Sequence, residues 1–349
     1  MRRIAQRLGL RYPLIQAPMA GTSTPALAAA VCEAGGLGSI AIGAVDAKAA
    51  RTAIADLRGR TARPFNVNAF VHQQAIRDIA IEQAWTGAMT PLFARFGAVP
   101  PTTLHEIYCS LNDDPDMLAV LVEAAPAVVS FHFGLPTREA IAALKAQGCL
   151  LLASATSLAE AEAAVASGMD AVVAQGFEAG GHRGVFDPGA ADEQLGTLEL
   201  VRILAAKLGV PVIAAGGIMD GADIRAALNA GADAVQLGTA FVGCPESAAD
   251  EGYRAVLAQA PGTTLTRAIS GRPARCLDNA FVGWASTTST TVPDYPVTYD
   301  AGKALIAAAR AAGEAGFGAH WAGTGFDRAR PIPAADLVAL LVQEAGFDA

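Results

Sequence analysis

A glycine-rich segment with one histidine is the part of the sequence best suited to chemistry. Residues 174–184 read Ala-Gln-Gly-Phe-Glu-Ala-Gly-Gly-His-Arg-Gly, after an apolar run at 170–174 that predicts a buried strand. The four glycines let the backbone approach a planar ligand closely and present N–H groups to it. The imidazole of His182 can move a proton near neutral pH. Glycine spacing alone leaves open a surface loop with a solvated histidine.

Alternating strands and helices are expected to position this segment. Short apolar runs predict eight strands, at 14–18, 37–43, 65–70, 128–134, 150–155, 171–175, 212–216 and 234–241. Helical patterns lie between them, several with Ser, Thr or Asp at the start, at 25–34, 47–57, 136–147, 157–167, 197–208 and 221–229. This alternation predicts a parallel sheet, and eight repeats predict an α/β fold closed as a TIM (β/α)8 barrel.

Two regions interrupt the repeat. We expect the barrel to span residues 1–241, with a helical insertion at about 71–127. Residues 242–349 predict helical C-terminal additions, with helices at 299–312 and near 334–344, that cover one mouth of the barrel. Because no low-complexity linker precedes them, we expect these additions to pack on the barrel.

Strands seven and eight predict a phosphate site. Their ends read Ala-Ala-Gly-Gly-Ile at 214–218 and Gln-Leu-Gly-Thr-Ala at 236–240. In this kind of barrel, backbone N–H groups at those two strand ends usually bind phosphate. The alternative is that Gly216 and Gly217 only form a tight turn.

Other strand ends carry groups that suit a planar ring system. Strand one ends in Gln-Ala-Pro-Met-Ala-Gly at 16–21, whose small residues and proline form a flat wall. Asn68 on strand three and Gln175 on strand six supply amides that need polar partners. His132 on strand four shares a face with Ser130, and a functional residue and a satisfied core histidine are both open there. Together with the phosphate site, these features fit FMN best.

Composition and motifs exclude several classes of function. The chain has 349 residues, 52% hydrophobic and 17% charged, with a net charge of −8, which favours a large core and argues against nucleic-acid or membrane binding. Five widely spread cysteines predict neither disulfides nor a zinc site and favour the cytoplasm. No His/Asp/Glu cluster predicts a metal site, and no Rossmann glycine motif predicts a dinucleotide domain.

Four blocks of the sequence resemble the signature blocks of nitronate monooxygenases, formerly called 2-nitropropane dioxygenases, and most closely those of class I. They are Gln-Ala-Pro-Met at 16–19, Pro-Phe-Asn-Val-Asn at 64–68, Ser-Phe-His-Phe-Gly at 130–134, and the segment 174–184. The resemblance extends over essentially the whole chain. It implies an FMN-containing barrel that oxidises alkyl nitronates, such as propionate 3-nitronate, with molecular oxygen. The implied products are a carbonyl compound, nitrite and reduced oxygen species.

The resemblance also implies roles for particular residues. His182 is the expected active-site histidine, as a base or as a hydrogen-bond donor, and His132 is expected to be a second polar group over the flavin. The expected FMN contacts are Ala17, Met19, Asn68, Gln175, Gly180, Gly181, Gly217, Gln236, Leu237, Gly238 and Thr239.

The tail carries a predicted lid. Tyr295, Tyr299 and Lys303 recur every four residues, which places them on one side of a helix. We expect them to cover the pocket, with Lys303 attracting an anionic substrate, while a solvated helix edge is the alternative. The Trp-Ala-Gly-Thr-Gly segment at 321–325 is expected to close over the flavin.

Two other functions remain open at this point. One is an FMN-dependent NADH:quinone or enoyl-thioester reductase on the same barrel, and the other is a flavin-free barrel that binds a phosphorylated substrate. The expected partners are a small nitronate and O2, and a homodimer is left open.

Overall fold

Eight parallel strands form the barrel in the computed structural model, which describes residues 3–347. The strands, in chain order, are β1 (Leu14–Gln16), β2 (Ser39–Ala41), β3 (Asn66–Phe70), β4 (Val128–His132), β5 (Leu150–Ala155), β6 (Ala171–Gln175), β7 (Gly181–His182), β8 (Val212–Ala215), β9 (Ala234–Leu237), β10 (Thr263–Thr266) and β11 (Ala274–Leu277). The barrel strands pair in the order β1-β9-β8-β6-β5-β4-β3-β2. A parallel bridge between Ile15 and Leu37 brings β1 beside the chain that leads into β2, which nearly closes the ring. The predicted barrel is therefore confirmed.

Helices cover the outside of the barrel. Several begin where predicted because a side chain caps the first turn; Thr24 Oγ1, for example, accepts a hydrogen bond of 3.0 Å from Leu27 N. The helices are α1 (Arg3–Leu8), α2 (Pro25–Glu33), α3 (Ala47–Arg60), α4 (Ile79–Arg95), α5 (Pro115–Ala124), α6 (Arg138–Ala146), α7 (Leu158–Ala166), α8 (Thr197–Lys207), α9 (Gly221–Asn229), α10 (Thr239–Val242), α11 (Glu251–Gln259), α12 (Ala280–Ala285), α13 (Val297–Ala311) and α14 (Ala334–Ala345). Single turns of 3-10 helix lie at Leu111–Asp113 and Phe326–Arg328.

The barrel strands are buried on both faces, as their continuous apolar runs predict. One set of side chains, including Ile15, Leu152 and Val173, packs inside the barrel together with Ile4 of α1. Alternate residues, such as Val172 of β6, pack outward against the helices. Because α1 contributes to the inner cluster, the barrel interior is filled at that level, and the carboxyl ends of the strands remain for a ligand site.

The insertion and the tail pack on each other beside the barrel. Trp85 and Phe93 of α4 share an apolar cluster with Val297 and Leu305 of α13. Helix α5, although within the predicted insertion, packs on α3 and α6 as a barrel helix. Helix α14 returns to α2 and α9. No helix within residues 3–347 combines the length and the apolar character needed to cross a membrane.

The tail also contains strands that the sequence does not predict. β10 and β11 form an antiparallel hairpin, and β11 pairs with β7 to complete a three-stranded sheet. Short strands of four residues carry too little alternation to be recognised. The predicted strand at 234–241 is likewise divided, since β9 ends at Leu237 and α10 begins at Thr239, after Gly238.

Candidate active site

A pocket opens at the carboxyl ends of the barrel strands. The structure brings nearly all the predicted site residues to its lining: Ala17, Met19, Asn68, His132, Gln175, Gly180, Gly181, His182, Gly217, Gln236, Gly238, Thr239, Tyr295, Tyr299 and Lys303. Leu237 is the exception, because successive residues of β9 face opposite sides and its side chain packs in the apolar layer under the helices. Leu237 is thus absent from the pocket lining, and its expected FMN contact stays a prediction.

His182 is held rigidly rather than lying in a solvated loop. It belongs to β7, and its backbone pairs with Ala274 of β11. Its Nε2 atom lies 2.8 Å from Ser270 Oγ. Aromatic rings surround the imidazole, with ring centroids 5.1 Å away for Trp321, 5.5 Å for Phe133, 5.6 Å for Tyr295 and 6.2 Å for Tyr299.

The imidazole of His182 is neutral at physiological pH. Burial, together with smaller contributions from the neighbouring His132 and Arg272, lowers its pKa to about 3. A neutral imidazole has one nitrogen that accepts and one that donates. His182 can therefore accept a proton from a bound substrate or donate a hydrogen bond to it, which are the two roles predicted.

His132 supports the main chain of His182. Its Nε2 lies 3.1 Å from His182 O, a carbonyl oxygen that can only accept, so Nε2 carries the proton and donates. Nδ1 then accepts from the hydroxyl of Ser154 at 2.9 Å. Burial lowers the pKa of His132 to about 4, which keeps this arrangement neutral. Both ring nitrogens are thus engaged within the protein.

Hydrogen bonds from Gln175 and Arg183 fix the backbone of the histidine segment. Gln175 Nε2 donates to His182 O at 3.0 Å, and Gln175 Oε1 accepts from Gly184 N at 2.7 Å. Arg183, fully buried, donates to the carbonyl oxygens of Gln175 and Gly176 at 3.1 and 2.9 Å and forms a bidentate ion pair with Asp192. Sequence reasoning missed Arg183, since an arginine beside a glycine segment carries no signal of burial.

Glycine is required where the tail crosses the histidine segment. A Cβ atom on Gly180 would lie 2.4 Å from the backbone at Ala322 and Gly323. Gly323 N donates to Thr239 Oγ1 at 2.9 Å, and Thr324 N donates to Glu178 O at 3.0 Å. The predicted closing segment at 321–325 therefore lies against the pocket, and three of its residues line it.

The strand ends predicted to hold phosphate present backbone to the pocket. Gly216 and Gly217 have φ values of +123° and +69°, which a side chain would strain. A Cβ on Gly216 would also lie 2.7 Å from Thr197 Oγ1. Gly238 faces Ala17 and Met19, which form the predicted flat wall. Gly216 and Gly217 thus form a tight turn, as in the alternative interpretation, and they also line the pocket.

Three tyrosines and a lysine stand over the pocket. Tyr295 lies before α13 begins at Val297, so the predicted helical spacing applies only to Tyr299 and Lys303. The Lys303 ammonium lies 4.8 Å from the ring centroid of Tyr108 and 5.6 Å from that of Tyr299. Tyr108 comes from the insertion, and nothing in the sequence marked it as part of the site. Burial raises its pKa to about 12 and keeps the phenol neutral.

Comparisons with known proteins agree with this geometry. A family model described as nitronate monooxygenase matches residues 2–344. A nitronate monooxygenase of Paraburkholderia phytofirmans is 58% identical over 340 residues, covering 97% of this chain and 93% of that protein. A nitronate monooxygenase of Pseudomonas aeruginosa is 54% identical over 345 residues, covering 98% of each chain.

Solved structures show the same relationship. A nitroalkane oxidase from Streptomyces ansochromogenes superposes with a TM-score of 0.87 and 40% identity, covering 99% of this chain and 98% of that one. FabK from Thermotoga maritima gives a TM-score of 0.75 and 29% identity, covering 100% and 97%. The resemblance inferred from four sequence blocks is confirmed, and the reductase alternative is not favoured. The chain belongs to the nitronate monooxygenase family, whose members are flavin-dependent oxidoreductases that oxidise nitronates.

Proposed function

We propose that the flavin of this enzyme is FMN and that the chain oxidises alkyl nitronates with O2 to a carbonyl compound and nitrite. The observation that carries the proposal is the position of His182. A neutral imidazole, fixed at its backbone and at Nε2, lines the same pocket as the glycine-rich ends of β8 and β9. That arrangement supplies a proton acceptor beside a site that suits a phosphate.

The residues present fit FMN. Backbone at Gly217, Gly238 and Thr239 would hold the phosphate, and Ala17 and Met19 would lie against the ring system. Gln236, Gly180 and Gly181 complete the proposed contacts, while the side-chain amides of Asn68 and Gln175 would meet polar atoms of the ring. Asn68 Nδ2 is fixed by Ser130 Oγ at 2.9 Å, which orients its amide. FMN supplies the electron transfer when bound.

His182 would handle the proton of a neutral nitroalkane. Its Nε2 faces Ser270 Oγ, which is itself 3.4 Å from Arg272 O. If Ser270 donates to that carbonyl oxygen, Nε2 carries the proton and Nδ1 is left to accept one from the substrate. A preformed nitronate has already lost this proton, so it needs only orientation. Lys303, which lies against Tyr108 at the mouth, would attract the anion.

A flavin titration tests the proposal. Purified protein reconstituted with FMN should bind it in a 1:1 ratio. Anaerobic addition of propionate 3-nitronate should bleach the visible absorbance of the flavin. Admission of O2 should restore that absorbance, with release of nitrite. Anaerobic NADH serves as the control and should leave the absorbance unchanged over the same time. Rapid bleaching by NADH without bleaching by the nitronate would instead support the reductase.

The setting of the enzyme is also proposed. All five cysteines are free thiols and four of them are buried, which supports a reducing cytoplasm. A homodimer stays a prediction, and size-exclusion chromatography with light scattering measures it.

A further inference from the structure

Arg272 is a buried cation that no carboxylate of residues 3–347 contacts. It follows Gly271 in the connection between β10 and β11 and is 2% exposed. Within residues 3–347, its guanidinium donates one hydrogen bond, from Nη2 to Val185 O, and Nε has no partner. Glu160 and Asp187 act on it only at longer range, and Arg267 opposes them. Because burial of an unpaired charge destabilises the folded protein, we expect Arg272 to have a function at this position.

The guanidinium is directed at Phe133, a buried residue behind the pocket lining. Its Cζ lies 4.4 Å from the ring centroid of Phe133, a packing that favours a cation. The Phe133 ring in turn stands perpendicular to His182 at 5.5 Å and lies 4.5 Å from His132. Phe133 also has a φ of +79°, a strained conformation that persists only when its surroundings fix it. Phe133 therefore contacts both the guanidinium and the imidazole of His182, which lines the pocket.

Arg272 is the inward cation at this end of the site. Burial lowers its pKa to about 10, so it stays charged at neutral pH. The titratable rings around His182 are neutral there: His132 has a pKa of about 4, and burial raises the pKa of both Tyr295 and Tyr299. The adjacent Arg183 is charged, but it is paired with Asp192. Lys303 is a second cation, but it is exposed and lies at the mouth.

We propose that Arg272 is a positioning residue for anionic substrates, whose charge acts through Phe133 to hold an anion against His182. The inference rests on the proposed nitronate oxidation at FMN. Because Arg272 and Phe133 are both buried, the attraction of Arg272 for an anion is stronger than that of an exposed charge and is little affected by salt. The exposed Lys303 would act mainly during approach, in a salt-dependent manner.

The test is the affinity of the FMN-loaded protein for sodium nitrite, measured anaerobically from the change in flavin absorbance. Arg272→Gln should raise the Kd for nitrite about tenfold, as expected for loss of one charge several ångströms from the anion. Arg272→Lys should restore the Kd to within about twofold of wild type. Arg267→Gln is the matched control, because it removes a half-buried arginine of the same hairpin and should leave the Kd unchanged.

A merely structural Arg272 would behave differently. Its glutamine variant would lose thermal stability yet bind nitrite like wild type, or its lysine variant would fail to restore affinity, and either result overturns the inference. Wild-type protein that holds FMN without binding nitrite also overturns it. Failure to bind FMN would instead refute the proposed function, and the flavin spectrum reports that separately.

A second measurement tests the inference if Arg272→Gln does not fold. In Lys303→Met, nitrite affinity should change less than twofold between 50 and 500 mM sodium gluconate, about as expected for a buried attracting charge. A Kd that rises severalfold with salt in this variant would contradict a role for Arg272.

Discussion

At the scale of single residues, His182 is defined by its surroundings more than by its own type. Its Nε2 meets Ser270 Oγ at 2.8 Å, and its carbonyl oxygen accepts from both His132 and Gln175. These contacts fix the ring and its main chain independently. They suit the neutral imidazole to its proposed role as a proton acceptor, and the first two predictions follow from that proposal.

Replacing His182 by asparagine should separate two kinds of substrate. A neutral nitroalkane such as nitroethane must lose a proton, so its kcat/KM should fall by about 100-fold or more in His182→Asn. A preformed ethyl nitronate needs no base, and its kcat/KM should fall less than about tenfold. Oxygen uptake with each substrate, at equal FMN content, measures both values. Equal losses for the two substrates would show that His182 does not act as a base.

The pH dependence of nitroethane oxidation follows from the lowered pKa of His182. An ordinary histidine, with a pKa near 6.5, loses its accepting form as the pH falls through that value. In this chain burial lowers the pKa to about 3, so the accepting form persists in acid. We therefore expect kcat/KM to stay level between pH 7 and 5. An acidic limb with an apparent pKa near 6.5 would contradict the neutral site.

At the scale of elements, the site depends on the tail crossing the histidine segment. β11 pairs with β7, and the segment 321–325 passes over Gly180 at backbone distance. The sequence predicts the glycine-rich segment and its histidine, which line the pocket, but not these crossings. Short strands such as β7 and β11, and the residue Tyr108 from the insertion, depend on contacts between distant parts of the chain, which no local pattern encodes.

Gly180→Ala should loosen this crossing. The new Cβ would lie 2.4 Å from backbone atoms at Ala322 and Gly323, so the tail must shift, at a cost of about 1–3 kcal/mol of unfolding free energy. The Kd for FMN should rise in parallel. Gly59→Ala, in α3 with open space at its Cβ, is the control and should raise stability slightly. Unfolding in urea measures the stability of each variant, and FMN titration measures its Kd. A stability and a Kd equal to wild type in Gly180→Ala would show that the two segments do not pack closely.

At the scale of the whole molecule, local patterns predict the barrel but not how the insertion and the tail pack on each other. Eight apolar runs joined by capped helices predict the parallel ring, and the strand ends place Asn68, Gln175 and Gly217 at one mouth. In addition, α4 packs against α13 across more than 200 residues of sequence. Periodicity predicts these helices but not their partners.

Buried histidines should also make stability depend on pH. Burial lowers the pKa of His132, His182 and His320 to between about 3 and 4, so these groups stay neutral in the folded protein. In the unfolded chain they take up protons below about pH 6.5, which favours unfolding. Stability is therefore lost as the pH falls from 6.5 towards the folded pKa values, by about 2 kcal/mol per histidine between pH 7 and 5.

Urea unfolding of the FMN-free protein at pH 7 and pH 5 measures this loss. His320→Gln, which changes a histidine bonded to Asn279 and outside the pocket lining, should reduce the difference by about 2 kcal/mol. If the difference in unfolding free energy between pH 7 and pH 5 is the same in this variant as in wild type, His320 has the same pKa in the folded and the unfolded protein.

The most direct test of the account is a crystal structure of the FMN-loaded protein. The account predicts the phosphate against the backbone of Gly217, Gly238 and Thr239, the ring system along Ala17 and Met19, and the His182 ring over the flavin with Nε2 still bonded to Ser270. A flavin bound elsewhere, or a His182 ring turned away from it, would contradict the account.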